Sequence, residues 1–432
     1  VMVKHQKYFP INDGNNSLKP FFLVVINGNE DKYAKSIVHG NERVLRARLE
    51  DAKFFYQEDQ KSTESGLKPL DNNIEKLKNV VFYDNLGTIY DKVTRLKVLS
   101  QKLAEELHLD NNSIKILERG AQLCKSDLVT EMVKEFPELQ GVMGKEYALQ
   151  QGENPEVATT IFEHYLPRFA GDNFPVTMIG NILSIVDKLD NITSCFINNI
   201  IPDGSQDPYA LRRQSLGIIN IVINNKLNFS LDSIIDANIN LIIENRHLEL
   251  NNFLNDKINK QIIKDFIFQR FRFLLLEREY RYDIVDAVFA KKPENIMDAL
   301  LRIKAMQNKY STDIFVQTIT SAIRAFNLSK SSCQVVVNDT LFQEKEEYDL
   351  CQTYLKVKET VEKLSLKQKY DDVFANLETL NRPINIFFDK VLVMVENEKI
   401  RNNRLALLKS IADLYFSIAD LTKIALAKTN AS

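Results

Sequence analysis

The sequence predicts a mainly α-helical protein built from several domains. Its 432 residues are 44% hydrophobic and 26% charged, as in globular chains, and a chain of this length usually divides into about two to four domains. Glycine (13) and proline (11) are both scarce, which favours long helices over a turn-rich β architecture. No apolar run reaches the roughly 18 residues that cross a bilayer, so we expect no transmembrane helix and no membrane partner.

The first predicted elements are a strand and a helix. Residues 20–28 form a short apolar run that ends in Asn27-Gly28, which predicts a buried strand followed by a turn. Residues 41–56 have the apolar spacing of a helix, and Asn41 is the expected N-cap. Residues 60–78 are polar and predict a loop or linker.

Three cations share one face of this first helix. Arg43, Arg46 and Lys53 recur at helical spacing, away from the apolar stripe. Two interpretations remain open, because such a face either is solvated and carries ion pairs between neighbouring turns or contacts the phosphates of a nucleic acid.

The middle of the chain predicts helices separated by short breaks. Residues 79–200 have helical periodicity throughout. The expected breaks are Gly120, Pro137, Gly141, residues 152–155, Pro167 and Gly171. Residues 202–208, Pro-Asp-Gly-Ser-Gln-Asp-Pro, predict a loop and a candidate hinge.

The rest of the chain is also predicted to be helical. Residues 261–303 indicate a strongly apolar helix, and residues 340–424 are helical with a break at 381–383. The last helix is expected at about 398–424, and the final eight residues read as a frayed tail. The last helix carries an apolar stripe of Leu405, Leu408, Ile411, Ala412, Tyr415, Ile418 and Ala419.

Charge and cysteine content limit the possible partners. The net charge is −2 and the pI is about 6.3, so an RNA-binding function would depend on local basic patches rather than on a basic surface overall. The cysteines are Cys124, Cys195, Cys333 and Cys351. No two of them are closely spaced and none has histidine neighbours at zinc-ligand spacing, so we expect free buried thiols and no metal.

The sequence has no self-contained catalytic motif. It lacks a Gly-x-x-x-x-Gly-Lys-Ser/Thr phosphate loop, a strand-linked Gly-x-Gly-x-x-Gly, a Gly-x-Ser-x-Gly nucleophile elbow and the class I synthetase signatures. Its five histidines are not followed by aspartate, so a helical metal phosphohydrolase lacks its ligands. We therefore predict no catalytic residue, and we expect His164 to be a hydrogen-bonded structural histidine.

One acidic pair leaves two interpretations open. Asp187 and Asp190 lie three residues apart and share a helix face. Such carboxylates either bind a metal or exchange protons, or they form a solvated or lysine-paired face.

Several blocks of sequence resemble the β subunit of bacterial-type heterotetrameric glycyl-tRNA synthetases. The blocks occur in the family's order along nearly the whole chain. They are residues 27–29, 40–49 with 54–55, 86–88 with 91–92 and 95, 125–133 with 135–144, 163–172, 187–190, 204–205 with 207–213, 387–394 and 401–405. The family's N-terminal portion is not represented, and residues 8–27 already have the pattern of structured protein, so we expect the chain to begin partway into a longer polypeptide.

The resemblance implies a domain order. Residues 1–78 resemble the end of a central α/β domain, and residues 79–201 resemble an HD-like helical domain without the metal-binding His-Asp dipeptide. Residues 202–330 are expected to form a helical linker or body domain. Residues 331–432 resemble the helical anticodon-binding domain shared with arginyl-tRNA synthetases.

The resemblance also implies partners and a role. It implies a cytoplasmic, tRNA-binding subunit of an α₂β₂ ligase, with a bacterial cytoplasm and a plastid stroma not distinguished. Glycine tRNA and the α subunit are the expected partners. ATP and Mg²⁺ are expected at the α subunit, and no cofactor is expected in this chain.

Within the anticodon-binding-like region, arginines are the candidate contacts to RNA. Guanidinium groups stack on unpaired bases, hydrogen-bond their edges and neutralise phosphates. Arg401 and Arg404 lie near the start of the last helix, and Arg404 is equally well explained by a hydrogen bond to a carboxylate such as Glu396. Arg212-Arg213, after the hinge loop, either contact RNA or lock a domain interface.

A second arginine cluster lies in the predicted apolar helical region. Arg270, Arg272, Arg278 and Arg281 are offset by Glu277, Glu279 and Asp283, which favours a structural role. The alternatives to a tRNA-binding subunit are an HD-type phosphohydrolase and a helical scaffold without catalysis. A tRNA-binding subunit also predicts contacts from Arg43 and Arg46.

Overall fold

The computed structural model describes residues 2, 7–15, 17–27, 31–61, 68–83, 86–245, 260–330 and 336–426. The chain divides into two compact units, Val1–Ile200 with Ala237–Asn255 and Ile201–Asp236 with Asp256–Ser432. Apart from one two-stranded sheet and two isolated bridges, the described secondary structure is helical, which confirms the predicted mainly α fold.

The only sheet in the described ranges is an N-terminal hairpin. Strand β1 (Tyr8–Asn12) pairs antiparallel with strand β2 (Leu18–Val24). The prediction that this strand is buried is wrong, because Phe21 and Leu23 are each more than half exposed. The Asn27-Gly28 turn extends beyond the described residues.

The first helix, α1 (Ala34–Asp59), begins before Asn41, so the predicted N-cap is wrong. Asn41 lies inside the helix, where its amide donates to the Ile37 carbonyl at 2.9 Å. The side-chain oxygen of Asn41 accepts a hydrogen bond from the Tyr8 hydroxyl at 2.7 Å. The asparagine therefore ties the hairpin to the helix instead of starting the helix.

Three of the helices that follow in the first unit pack against one buried helix, α8 (Met178–Ile197). The helices before it are α2 (Pro69–Lys76), α3 (Ile89–Glu106), α4 (Asn111–Leu123), α5 (Glu131–Glu135), α6 (Val142–Gln150) and α7 (Pro155–Glu163). Nearly every side chain of α8 is buried, the charged ones included. A buried charged side chain needs a partner of opposite charge or hydrogen-bonding groups. The charged residues of α8 must therefore pair with side chains from the helices packed around them.

Two predictions about breaks in this region are wrong. Residues 60–78 are not all loop, because Pro69 occupies the first turn of α2, where its missing N–H has no helical partner to lose. Gly120 does not break a helix but lies within α4. A Cβ at Gly120 would lie 2.9 Å from Thr160 Cγ2 of α7, so the glycine permits close helix packing.

The second unit is also made of helices. Their bounds are α9 (Leu211–Asn225), α10 (Leu231–Asn245, shared between the units), α11 (Lys260–Glu277), α12 (Tyr282–Phe289), α13 (Ile296–Lys309), α14 (Asp313–Ser329), α15 (Lys345–Leu366), α16 (Tyr370–Glu378), α17 (Asn381–Lys390) and α18 (Glu398–Phe416). The single apolar helix predicted for residues 261–303 is three helices, α11 to α13. Short 3-10 helices lie at Asp31–Tyr33, Leu77–Asn79, Ser126–Val129, Pro137–Leu139, Asp339–Leu341 and Leu421–Lys423.

The last helix packs against α14 through the predicted apolar stripe, which is buried. It ends at Phe416 rather than near residue 424. Asp420 explains the early end, because its N–H donates to the Ala287 carbonyl and its carboxylate accepts from Thr422. None of the described helices has both the length and the apolar composition needed to cross a bilayer.

Candidate nucleic-acid interface

The arginines predicted to contact RNA do not form a single site. Arg43 and Arg46 lie on α1 in the first unit, whereas Arg212, Arg213, Arg401 and Arg404 belong to the second unit. Each group is therefore described by itself.

Arg43 and Arg46 are exposed on neighbouring turns of α1. Within the described residues neither forms an ion pair, so the predicted pairing between turns is not formed there. The next arginine on the helix, Arg48, does pair, with Glu135 at 3.1 Å. Two unpaired guanidinium groups one turn apart are suited to a phosphate backbone.

Arg404 is buried, with 3% of its surface exposed. Its Nε and Nη2 donate to the two carboxylate oxygens of Glu347 at 2.9 and 3.1 Å, and its Nη1 donates to the Leu392 carbonyl at 2.8 Å. The structure therefore favours the carboxylate-paired interpretation, and the predicted partner, Glu396, is wrong. A guanidinium group held in this way has no free edge for a base.

Glu347 is held on both sides. Its Oε2 also accepts from the backbone N–H groups of Gln343 and Glu344, each at 2.9 Å. Burial alone would raise the pKa of Glu347, but the hydrogen bonds from Arg404 and these N–H groups outweigh burial and lower it. The ion pair therefore connects the start of α15 with α18.

The segment before α18 presents apolar side chains to solvent. Leu392 is 71% exposed and Met394 is 60% exposed, whereas the alternate residues Val391 and Val393 are buried. The carbonyl that Arg404 holds is the one of Leu392. Arg404 thus positions the exposed residues even though its own side chain is inside.

Cations flank this segment. Arg401 is half-buried on the first turn of α18 and has no ion pair within the described residues. Arg324 on α14 is exposed, and its guanidinium carbon lies 4.0 Å from the centre of the Phe388 ring. Exposed apolar side chains can pack against the face of an unpaired base, and guanidinium groups can stack on bases and contact phosphates.

Arg212 and Arg213 begin α9, and Asp207 caps this end by accepting from the N–H groups of Leu211 and Arg212 at 2.8 and 3.0 Å. Arg213 is exposed and Arg212 is half-buried. The charge of Arg212 reaches Arg270 of α11: burial first, and Arg212 second, lower the pKa of Arg270. The Asp207 carboxylate acts in the opposite direction and raises the pKa of Arg270, so it offsets part of the repulsion between the two arginines.

The second arginine cluster is mostly structural; Asp283 is a carboxylate partner as expected, and Asp286, which was not expected, is another. Arg272 pairs with Asp286 at 2.6 Å, and Arg281 pairs with Asp283 at 3.1 Å. The predicted offsets by Glu277 and Glu279 do not appear among the described ion pairs. Sequence reasoning missed Arg270 as a neighbour of Arg212, since only the fold brings the two together.

The acidic pair of α8 is lysine-paired and buried. Asp190 accepts from Arg95 at 2.7 Å and from Lys92 at 3.0 Å. Asp187 lies 3.0 Å from Lys92 and 3.2 Å from Lys125. Among the residues that the structure describes, no three histidine, cysteine or acidic side chains gather as metal ligands.

His164 and the cysteines are interior residues, as predicted. The His164 ring is bonded on both nitrogens, by the Ile161 carbonyl and by the Lys125 ammonium group. Cys124, Cys195 and Cys351 are buried and take part in no disulfide, and burial raises the pKa of the Cys124 thiol to about 12. Cys333 lies outside the described residues.

Comparison with known proteins gives two family matches. Residues 1–290 match the family model described as glycyl-tRNA synthetase beta subunit. Residues 315–426 match the DALR anticodon binding domain, which covers α14 to α18 and the exposed segment between α17 and α18.

Curated relatives agree along the whole chain. A protein of Halothermothrix orenii named glycine--tRNA ligase beta subunit is 42% identical over 428 residues, which is 98% of this chain and 60% of that protein. Proteins of the same name from Desulforamulus reducens and Bacillus subtilis are 41% and 38% identical over 98% of this chain. The chain spans about three fifths of the length of the curated relatives it matches.

Proposed function

This chain belongs to the glycyl-tRNA synthetase beta subunit family, and we propose that it binds the tRNA that is charged with glycine by a two-subunit ligase. The observation that carries the proposal is the surface of the anticodon-binding-type domain around the α17–α18 segment. This surface combines exposed apolar side chains with guanidinium groups that are not neutralised by a carboxylate among the described residues.

The residues of the proposed interface have different roles. Leu392 and Met394 offer an apolar surface against which an unpaired anticodon base can pack, and Arg401 supplies a cation at the start of α18. Arg404 acts behind them as a positioning residue, because it fixes the Leu392 carbonyl. Base contact would then be made by residues that the Arg404–Glu347 pair holds in place.

Further cations extend the proposed contact beyond the anticodon. Arg43 and Arg46 on α1, and Arg212 with Arg213 at the start of α9, are proposed to contact backbone phosphates. Such contacts carry no sequence information but strengthen binding at low salt. They also explain how a chain with net charge −2 would hold an RNA through local patches.

The remaining partners are proposals of the same kind. The chain would act with an α subunit in an α₂β₂ assembly, and ATP and Mg²⁺ would bind to that subunit. A phosphohydrolase activity in the first unit is not favoured, because the carboxylates of α8 are engaged by lysine and arginine side chains.

Direct titration tests the proposal. The chain is titrated with glycine-accepting tRNA at about 50 and about 200 mM salt, a range over which phosphate contacts weaken strongly. We expect binding that weakens with salt, and Arg401→Ala and Leu392→Ser are each expected to weaken binding further. Arg401→Ala should also reduce the salt slope by about one unit if it contacts a phosphate.

A matched control comes from the same domain. Lys363 is exposed on α15 and pairs with Glu359 of the same helix at 2.6 Å, away from the α17–α18 segment in sequence. Lys363→Ala is therefore expected to leave tRNA affinity unchanged. If Arg401→Ala and Leu392→Ser behave like Lys363→Ala, the interface proposed here is wrong.

A further inference from the structure

The interior of the first unit contains an ammonium group in an unusual position. Lys125 Nζ lies 2.8 Å from His164 Nε2 and 3.2 Å from Asp187 Oδ1, and it also lies 4.2 Å from the centre of the Tyr165 ring. All of these side chains are buried or nearly so. An imidazole nitrogen and a carboxylate oxygen that converge on one point are donors typical of a transition-metal ion.

The tautomer of His164 fits this description. Its Nδ1 lies 2.7 Å from the Ile161 carbonyl, which can only accept, so Nδ1 carries the proton. The other nitrogen, Nε2, then presents a lone pair to Lys125. Burial and the nearby charge of Lys125 lower the pKa of His164 well below its ordinary value, which keeps the ring neutral. Metal-binding histidines are oriented by the same kind of carbonyl hydrogen bond.

A second ammonium group also lies beside Asp187. Lys92 Nζ lies 3.0 Å from Asp187 Oδ1, and it also donates to Asp190 and Asn191 at 3.0 and 2.9 Å. Burial raises the pKa of Asp187, but the charges of Lys125 and Lys92 outweigh burial and lower it. Asp187 is therefore a carboxylate with two cations on one oxygen.

A further carboxylate lies close to Lys125 in the chain. Asp127 is fully buried, and its Oδ2 accepts from the N–H groups of Gly141 and Gly144 at 2.6 and 3.2 Å. Its Oδ1 is buried without a hydrogen-bond partner. Burial raises the pKa of Asp127 to about 6, against the hydrogen bond from the Gly141 N–H and the charge of Lys125, which both lower it. The cluster therefore contains a carboxylate oxygen, Asp127 Oδ1, that accepts no hydrogen bond, in addition to the groups that contact Lys125.

We propose that the Lys125 ammonium group is a built-in substitute for a divalent metal ion. It occupies the point between His164 and Asp187 where a cation of that class would bind, and it makes the helical unit independent of metal. If the lysine side chain is removed, the imidazole of His164 and the carboxylate of Asp187 become available to a metal ion that prefers nitrogen and oxygen donors. Water would complete the coordination shell of that ion.

The test is Lys125→Ala in the full chain, followed by thermal unfolding with Co²⁺, with Mg²⁺ and with a chelator. Co²⁺ accepts imidazole and carboxylate ligands and has a visible absorption spectrum that reports its coordination. The wild-type midpoint is expected to be unaffected by Co²⁺ and by the chelator. The variant is expected to unfold at a lower temperature and to regain at least about 3 °C with Co²⁺ but not with Mg²⁺.

Two controls assign the effect to this position. Lys188 is equally buried but donates to the Leu166 carbonyl and the Ser184 hydroxyl, each at 2.8 Å, so Lys188→Ala is expected to lose stability without recovery by Co²⁺. Adding His164→Gln to Lys125→Ala should abolish the Co²⁺ effect and its spectrum, because the imidazole donor is gone.

Each outcome of these experiments either supports the proposal or contradicts it. If Lys125→Ala folds and Co²⁺ neither stabilises it nor gains a ligated spectrum, the proposal is wrong; it is also wrong if the wild type binds Co²⁺ through His164. If Lys125→Ala does not fold, Lys125→His, which supplies a second imidazole, is refolded with and without Co²⁺. Recovery only with Co²⁺ supports the substitution, and failure in both conditions overturns it.

Discussion

The guanidinium group of Arg404 and the carboxylate of Glu347 form a fully buried pair with two hydrogen bonds. Removing one member of such a pair leaves an uncompensated charge in the interior, which costs about 3–5 kcal/mol, whereas replacing both members by neutral side chains costs much less. The pair is therefore a strong structural requirement even though its net contribution to stability is small.

We expect Glu347→Gln to lower the free energy of unfolding by about 3 kcal/mol, and the double variant Glu347→Gln with Arg404→Met to lower it less. Urea denaturation of the three proteins at neutral pH measures both values. A double variant that is less stable than the single variant would contradict the account of this pair.

The Arg404–Glu347 pair also makes the free energy of unfolding depend on pH. The pKa of Glu347 is lower in the folded protein than in the unfolded chain, so the unfolded state binds more protons as the solution becomes acidic. The stabilisation is complete above about pH 5, since the unfolded pKa is about 4.3, and it is lost as the pH falls through the lower folded value. Between pH 5 and pH 3, the wild type should therefore lose more stability than the double variant.

At the level of single residues, the sequence indicates the type of a site but not its partner. Arg404 was a reasonable candidate for RNA because arginine suits both bases and carboxylates. Its true partner lies 57 residues away in the chain, and only the packing of α15 against α18 brings Glu347 to it. Leu392 and Met394 were not predicted as surface residues, because apolar side chains in a sequence indicate a buried core.

At the level of elements, helix α4 meets helix α7 at Gly120. A Cβ there would lie 2.9 Å from Thr160 Cγ2 and 3.2 Å from its Cβ. Extra atoms in a well-packed contact typically cost about 1–3 kcal/mol, which exceeds the gain in helix propensity of about 1 kcal/mol from replacing glycine by alanine. The glycine is thus a packing requirement within a helix.

We expect Gly120→Ala to lower the free energy of unfolding by about 1 kcal/mol, and Thr160→Ser, which removes the clashing methyl group but keeps the hydroxyl, to restore part of it. Chemical denaturation of the single and double variants gives the coupling energy. If Gly120→Ala alone is more stable than the wild type, the two helices can move apart without a loss in the free energy of unfolding, and the packing account is wrong.

Periodicity predicted which segments are helical, but the ends and exposure of elements depend on distant contacts. Asn41 does not start helix α1, and its side chain accepts a hydrogen bond from Tyr8 of the hairpin instead. Helix α18 ends at Phe416 because Asp420 bonds the Ala287 backbone. The hairpin has a core-like sequence yet is exposed in this chain. None of these partners is adjacent in sequence to the element that it limits.

At the level of the whole molecule, the sequence alone was sufficient for the fold class and the family. Low glycine and proline content predicted helices, and the ordered blocks along the chain identified the relatives. The division into units and the separation of buried from exposed arginines required the structure. Base contacts are proposed for the α17–α18 segment, and Arg404 is proposed to support that segment through the Leu392 carbonyl.

The most direct measurement compares two RNAs with the wild-type chain. Glycine-accepting tRNA and the same tRNA with a substituted anticodon are titrated by fluorescence anisotropy at one moderate salt concentration. If the C-terminal domain recognises the anticodon, the substituted tRNA should bind about 10-fold more weakly or worse, the loss expected for one stacked or hydrogen-bonded base. Equal affinity for the two RNAs would contradict anticodon recognition by this chain.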